Sequence, residues 1–370
     1  MIDPRLTKWA NTLAQYSIDV KPGEQVLIRA DEAAIPLAKE VYAAILRGGG
    51  HPHIQVLIDG LDEIFLKTAN DEQLDFVSPI RQFEYETIDA MIAIMAPTNT
   101  AALAGIDPAR QARAQKANGA IRRSMFLRAA EGKSKWSLTL YPTPAAAQNA
   151  GMSLPAYEEF VFSAMLLNRD DPAEGWRELS RSQQKYVDYL NGVDTLRFVA
   201  VDTDITMRVG GRTWINSDGH RNFPSGEVFT GPIENTAEGH VRFTFPAAHL
   251  GNEVDNIQLE FHEGRVVSAQ AGHGKDFLEA MLNSDPGARY LGEVAVGTNY
   301  GVTRFSRNTL YDEKIGGTFH MALGRSYPET GGVNESSLHW DLICDMRPAA
   351  GGGAIYADGL LIHENGEWKI

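Results

Sequence analysis

The chain has 370 residues and a single cysteine, Cys344. One cysteine excludes an internal disulfide and fits a reducing compartment, so a cytoplasmic location is expected. Cys344 itself reads as a small buried apolar residue. No run of about 18 apolar residues occurs, so no membrane span is expected. The opening MIDPRLTKWANTLAQYSIDV has no apolar core and does not read as a signal peptide. Cations are scarce: 34 Lys and Arg stand against 48 Asp and Glu, a net charge of −14. That balance argues against nucleic-acid binding, which runs on lysine and arginine against phosphate. Familiar catalytic signatures are also missing. His262-Glu263 and His363-Glu364 lack the second histidine of His-Glu-x-x-His, and no Gly-x-Ser-x-Gly occurs. Gly48-Gly49-Gly50 follows a helical pattern, so it reads as a helix stop and not as a phosphate loop.

What is present is ordinary globular composition, 43% apolar and 22% charged, with length enough for at least two domains. The first half has an α/β texture. A helix is predicted over 5–16, a turn at Lys21-Pro22-Gly23-Glu24 and a strand over 25–30. Asp31 reads as the N-cap of a helix over 32–47, and 53–58 as the next strand. Strand, helix, strand in this order implies a parallel sheet covered on both faces. Further strands are predicted over 90–95 and 137–141, with Asp107-Pro108 opening a helix between them. A helical pattern over 153–190 breaks near Asp170-Asp171-Pro172 and stops at Asn191-Gly192. Short β segments then recur over 195–201, 205–209, 240–245, 257–262 and 265–271, with one helix over 275–283 and a tight hairpin at Asn365-Gly366. The expected fold class is therefore α/β plus α+β. A parallel-sheet α/β domain over 1–190 precedes a mostly antiparallel, β-rich metal-binding domain over 191–370.

The chemistry has an address between 312 and 345, DEKIGGTFHMALGRSYPETGGVNESSLHWDLICD. Asp312, Glu313, His320, Tyr327, Glu329, His339, Asp341 and Asp345 gather there among small residues, with little cationic neutralisation. Imidazole plus carboxylate is what a divalent transition metal needs. In a strand, His339 and Asp341 project to one face while Trp340 packs on the other. Asp345 reads as a capping or pairing residue, and the remaining histidines as structural. Two further carboxylates echo one another in Gly226-Glu227-Val228 and Gly292-Glu293-Val294. A glutamate opening a short apolar strand is awkward unless something satisfies it. Two of them suggest a pair converging on one ion, with glycine letting the backbone approach closely.

Four blocks, PSGEVFTGP at 224–232, LGEVAVGTN at 291–299, DEKIGGTFHMALGRSYPETGG at 312–332 and SSLHWDLICDM at 336–346, resemble the M29 metallo-aminopeptidases in order and type. The KPGEQVLIRAD and GGGHPHIQV segments resemble that family's N-terminal domain, so the likeness spans nearly the whole chain. The resemblance implies an exopeptidase with two divalent ions, Zn²⁺, Co²⁺ or Mn²⁺, that activate water against peptides with a free N-terminus. It also implies a homodimer. Glu227 matches the family ligand of the first block, and Glu293 the glutamate that touches both ions. His320 and Tyr327 match the His and Tyr of His-x-Ala-Leu-Gly-x-x-Tyr. His339 and Asp341 match the His-x-Asp ligands. Glu313 matches the acidic pair, with a longer link to His320 than some members have. Tyr327 is then expected to donate to the oxyanion. Two rival readings stand beside this one: a glycosidase using Glu227 and Glu293 as acid and base, and a non-catalytic protein with a closed metal site.

Overall fold

The computed structural model describes residues 3–370. They form two compact units, one running to Gly175 and adding Gly219–Pro224, the other made of Trp176–Asp218 and Ser225–Ile370. The division expected at 190 thus falls within the helix Pro172–Leu190. The side chains of that helix explain the difference. Gln183 is fully buried and donates to Asn216, to the Ser217 carbonyl and to the Glu227 carbonyl, all in the second unit. Val187 and Leu190 enter that unit's apolar core.

In the first unit, five parallel strands run in the order His51–Leu57, Gln25–Asp31, Ala90–Met95, Lys135–Leu140, Asn222–Phe223. The helix Ile35–Arg47 joins the first two in sequence, which is the expected strand–helix–strand unit. Val26, Leu27 and Ile28 are consecutive and all buried, as a parallel strand covered on both faces requires. Asp31 departs from its expected role. The helix begins behind a 3₁₀ turn, Glu32–Ala34, with no side-chain cap, and the Asp31 carboxylate instead accepts the Ala96 N–H at 2.6 Å.

The second unit holds antiparallel sheets of eight and five strands and a two-stranded ribbon, Ala247–His249 with Asn252–Val254. The five-stranded sheet positions the site, in the order His339–Asp345, Thr318–Gly324, Leu291–Gly297, Glu227–Thr230, Ile215–Ser217. Alternation along these strands sends Val294, Val296, Met321, Leu323, Trp340, Leu342 and Cys344 to one face. There they share a core with Leu196, Phe198, Ile205, Phe261 and Ile355 of the larger sheet. Each such buried side chain contributes about 1.5–3 kcal/mol, so this face anchors the sheet and the other is free to carry polar groups. Asn365 and Gly366 both take positive φ, 52° and 88°, in the tight turn between Leu360–Glu364 and Glu367–Trp368.

Candidate metal centre

The pairing registers lay the polar residues out in rungs. Ala295 lies opposite His320, and Glu293 opposite Ala322, which in turn lies opposite Asp341. His339 lies opposite Gly324, and on the other flank Glu227 lies opposite Gly297. Residues directly opposite share a face, so four strands present one polar surface. Ala295 and Ala322 are fully buried within it. Their small side chains leave the volume into which the longer acids and imidazoles lean.

The two Gly-Glu-Val segments begin neighbouring antiparallel strands, so Glu227 and Glu293 approach the centre from opposite ends. Each glycine permits a close backbone contact. A Cβ on Gly226, whose φ is +117°, would lie 2.6 Å from Asn299 Cβ, and one on Gly292 would lie 2.3 Å from the Arg325 carbonyl oxygen.

One ligand atom each from Glu227, Glu293 and His320 lie within 4.8 Å of one another. The same holds for Glu293, His339 and Asp341, and for Glu313, His320 and Asp341. Because the three groups share members, they form one cluster of six residues. His320 Nε2 is 3.6 Å from Glu227 and 3.5 Å from Glu293. His339 Nε2 is 3.3 Å from Glu293 and 3.6 Å from Asp341. Glu293 therefore stands between the two imidazoles. His339 Nδ1 donates to the Arg325 carbonyl at 2.8 Å, which turns Nε2 inward. Glu227 Oε2 and His320 Nδ1 are buried with no hydrogen-bond partner. An orphaned buried carboxylate oxygen is costly, by about 1–3 kcal/mol or more, unless a cation takes it. The donor set, carboxylate and imidazole without thiolate, fits Zn²⁺, Co²⁺ or Mn²⁺.

The electrostatics point the same way. Burial opposes the charge on Glu293, yet the imidazoles of His320 and His339 hold its carboxyl down to about 2. Burial also opposes charge on His320, but Glu293 and Glu227 raise it to about 9. His339 is raised against burial to about 10 by Asp341 and Glu293. Burial lifts Asp341 to about 6 against the pull of His339. In the protein alone, the two imidazoles thus carry positive charge that the carboxylates demand, and an arriving ion would displace their protons.

Tyr327 packs its ring against Phe229 and His339, with centroids 5.6 and 5.0 Å away, and its hydroxyl lies 3.4 Å from His339 Nε2. Its carbonyl accepts from the N–H and hydroxyl of Thr330 in the turn Pro328–Thr330. Burial and the surrounding carboxylates hold the phenol well above its ordinary pKa, so it remains an O–H donor.

Other members of the 312–345 stretch do not join the cluster. The Asp312 carboxylate accepts from the N–H and hydroxyl of Ser306 and from the N–H of Asn308, closing a loop. Asp345 pairs with Arg347 at 2.7 Å, as expected. Glu329 is exposed on its turn. Nor is the stretch short of cationic neutralisation, as its sequence suggests. Lys314 is 1% exposed, and its Nζ donates to both Glu227 and Glu313. Its only signal in the sequence is a lysine set between a candidate ligand and the uncharged run Ile315-Gly316-Gly317.

One face of an antiparallel sheet presents three carboxylates and two imidazoles around buried alanines, with Glu313 reaching in from the end of the helix Thr309–Asp312, a set of donors that could hold divalent ions. The chain belongs to the thermophilic metalloprotease (M29) family, whose model matches residues 2–368. It is 30% identical over 381 residues to Aminopeptidase 2 of Geobacillus stearothermophilus, covering 92% of each chain. Among solved structures, wild-type AmpT from Thermus thermophilus shares the fold, with a TM-score of 0.86 at 24% identity and 100% of both chains covered. A 2,5-dihydroxypyridine dioxygenase from Pseudomonas putida KT2440 shares it more loosely, with a TM-score of 0.58 at 15% identity over 98% of this chain and 96% of that one.

Proposed function

We infer that the chain is a metal-dependent aminopeptidase that releases N-terminal residues from peptides, working with two divalent ions of the Zn²⁺, Co²⁺ or Mn²⁺ class. The observation that carries this reading is the six-residue cluster of Glu227, Glu293, Glu313, His320, His339 and Asp341 in a chain of a metalloprotease family. A pair of ions, when bound, supplies a polarised carbonyl and an activated water. Glu293, placed between the imidazoles, is the residue positioned to be shared. Glu227 and His320 complete one side, His339 and Asp341 the other, and Glu313 reaches the centre beside His320. Tyr327 offers a neutral hydroxyl where oxyanion charge would develop. A small cavity lined by Ala247, Phe305, Arg307 and Ile343 adjoins Asp341, and the carboxylates of the cluster offer negative charge for a free N-terminal amine.

The glycosidase reading is not favoured, because Glu227 and Glu293 share the imidazole of His320 instead of flanking a bond to be cut. A closed structural site accounts less well for a tyrosine hydroxyl directed at the ligands. A homodimer is part of the proposal. The first unit exposes Ile58, Leu61, Ile64, Phe76, Ile80 and Phe83, apolar side chains of the kind that a subunit contact would cover. A cytoplasmic setting agrees with the one buried, unpaired cysteine.

The test is hydrolysis of a panel of aminoacyl-p-nitroanilides, with N-blocked controls, by chelator-stripped protein given back Zn²⁺, Co²⁺ or Mn²⁺. Metal-restored cleavage of the unblocked substrates alone is expected. No cleavage with two ions bound per chain would reduce the reading to metal binding.

A further inference from the structure

We propose that Lys314 is a positioning residue of this centre, a resident cation that claims one oxygen of Glu227 and one of Glu313 and so makes the two ion sites unequal. The proposal rests on the two-ion reading above. Lys314 Nζ reaches Glu227 Oε1 and Glu313 Oε1 at 2.5 Å each, inside a region closed to solvent. Glu293, His339 and Asp341, by contrast, hold one another.

The lysine is fixed from the main chain. Asn299 donates its N–H to the Lys314 carbonyl at 3.0 Å and its side-chain amide to the Ser225 carbonyl at 2.9 Å, two residues before Glu227. One residue thus ties together the backbones that carry the ammonium and its carboxylate. With Oε1 so engaged, Glu227 has only its unpartnered Oε2 to offer an ion.

Charge gives the consequence. Four carboxylates and one ammonium leave the ligand set three negative charges in excess, with both imidazoles neutral. A first divalent ion takes up two of them, and a second meets only one. The ion held by Glu293, His339 and Asp341 binds tightly. The ion that must draw on Glu227 and Glu313 binds weakly, beside a fixed positive charge. At a protein-like dielectric, the repulsion between this fixed charge and an ion a few ångströms away outweighs the ordering of the two carboxylates that the lysine provides.

The test is calorimetric titration of the chelator-stripped full chain with Zn²⁺ in wild type, K314M and K314R. Wild type takes up two ions in separate steps. In K314M the weaker step tightens by at least about tenfold while the tighter step holds, and K314R behaves as wild type. An unchanged or loosened weaker step in K314M overturns the proposal, and so do two equal steps in wild type. If K314M does not fold, a tightened weaker step in the charge-preserving K314R still overturns it, and a wild-type pattern there supports it. The readout is ion uptake, so it is separable from turnover. A chain that binds two unequal ions and cleaves no unblocked substrate would count against the peptidase reading alone.

Discussion

Glu293→Gln removes one charge from the middle of the cluster while keeping shape and volume. The carboxylate is 4% exposed and lies 3.5 and 3.3 Å from the two imidazoles that face it. Two unit charges at about 4 Å attract by about 4 kcal/mol at an effective dielectric of 20, and a divalent ion doubles the gross term. The amide oxygen of glutamine and the desolvation of the ion return part of this. A net loss of about 4 kcal/mol per ion is roughly a thousandfold in Kd. If Glu293 is shared by two ions, as proposed, both affinities should fall together. Metal content after desalting, measured beside the rate on an aminoacyl-p-nitroanilide, reads the effect. Circular dichroism shows whether the fold survives. Expected are a folded chain, ions lost and rate lost in step. A fully metallated, active Glu293→Gln protein would remove Glu293 from the centre and refute the shared-ligand assignment.

Three other outcomes follow from the same geometry. Tyr327→Phe should retain both ions and lose roughly 10²–10³ in kcat, the usual cost of one oxyanion donor; unchanged kcat would take the hydroxyl out of catalysis. Ala322→Val places two methyl groups between Glu293 and Asp341, so it should cost about 1–3 kcal/mol in thermal unfolding and weaken metal uptake more than stability. Normal metal affinity there would mean that the alanine does not shape the cage. His363 is buried with neither ring nitrogen partnered, and burial, aided by Lys369, pushes its pKa down to about 4. Its ordinary value is about 6.5, so between those two pH values the unfolded chain binds a proton that the folded chain refuses. Stability should fall as pH drops through that window, by at most about 3 kcal/mol from this group. His363→Phe should remove that loss, so its advantage over wild type grows from pH 7 to pH 4.5; a pH-independent difference in urea midpoints would refute it.

Much of this was legible in the sequence because periodicity carries it. The strand His339–Asp345 turns His339 and Asp341 to one face and Trp340 to the other, as a two-residue period demands. Asn365-Gly366 makes its hairpin because both positions need positive φ. The failures share a cause as well. Asp31 looks like a helix cap, but it accepts from the N–H of Ala96, 65 residues on, which local sequence does not reveal. The helix Pro172–Leu190 continues the helical texture of the first half, yet Gln183, Val187 and Leu190 give it to the second unit. Lys314 was invisible for the same reason: its partner Glu227 is 87 residues away.

The fold by itself does not select the chemistry, since a dioxygenase and an aminopeptidase can share it. Selection lies in what alternates along four adjacent strands. One face is apolar apart from Thr230 and holds the backbone still. On the other, small residues at 295 and 322 alternate across the rungs with the acids and imidazoles at 293, 320 and 341. A larger side chain at either alanine would fill the centre, and a smaller one at any ligand would leave charge unbalanced in a buried place. Lys314 belongs to that balance. It engages one oxygen from each of two carboxylates and adds one positive charge, and on the proposal made above that imbalance is what would let the cluster take ions in a definite order.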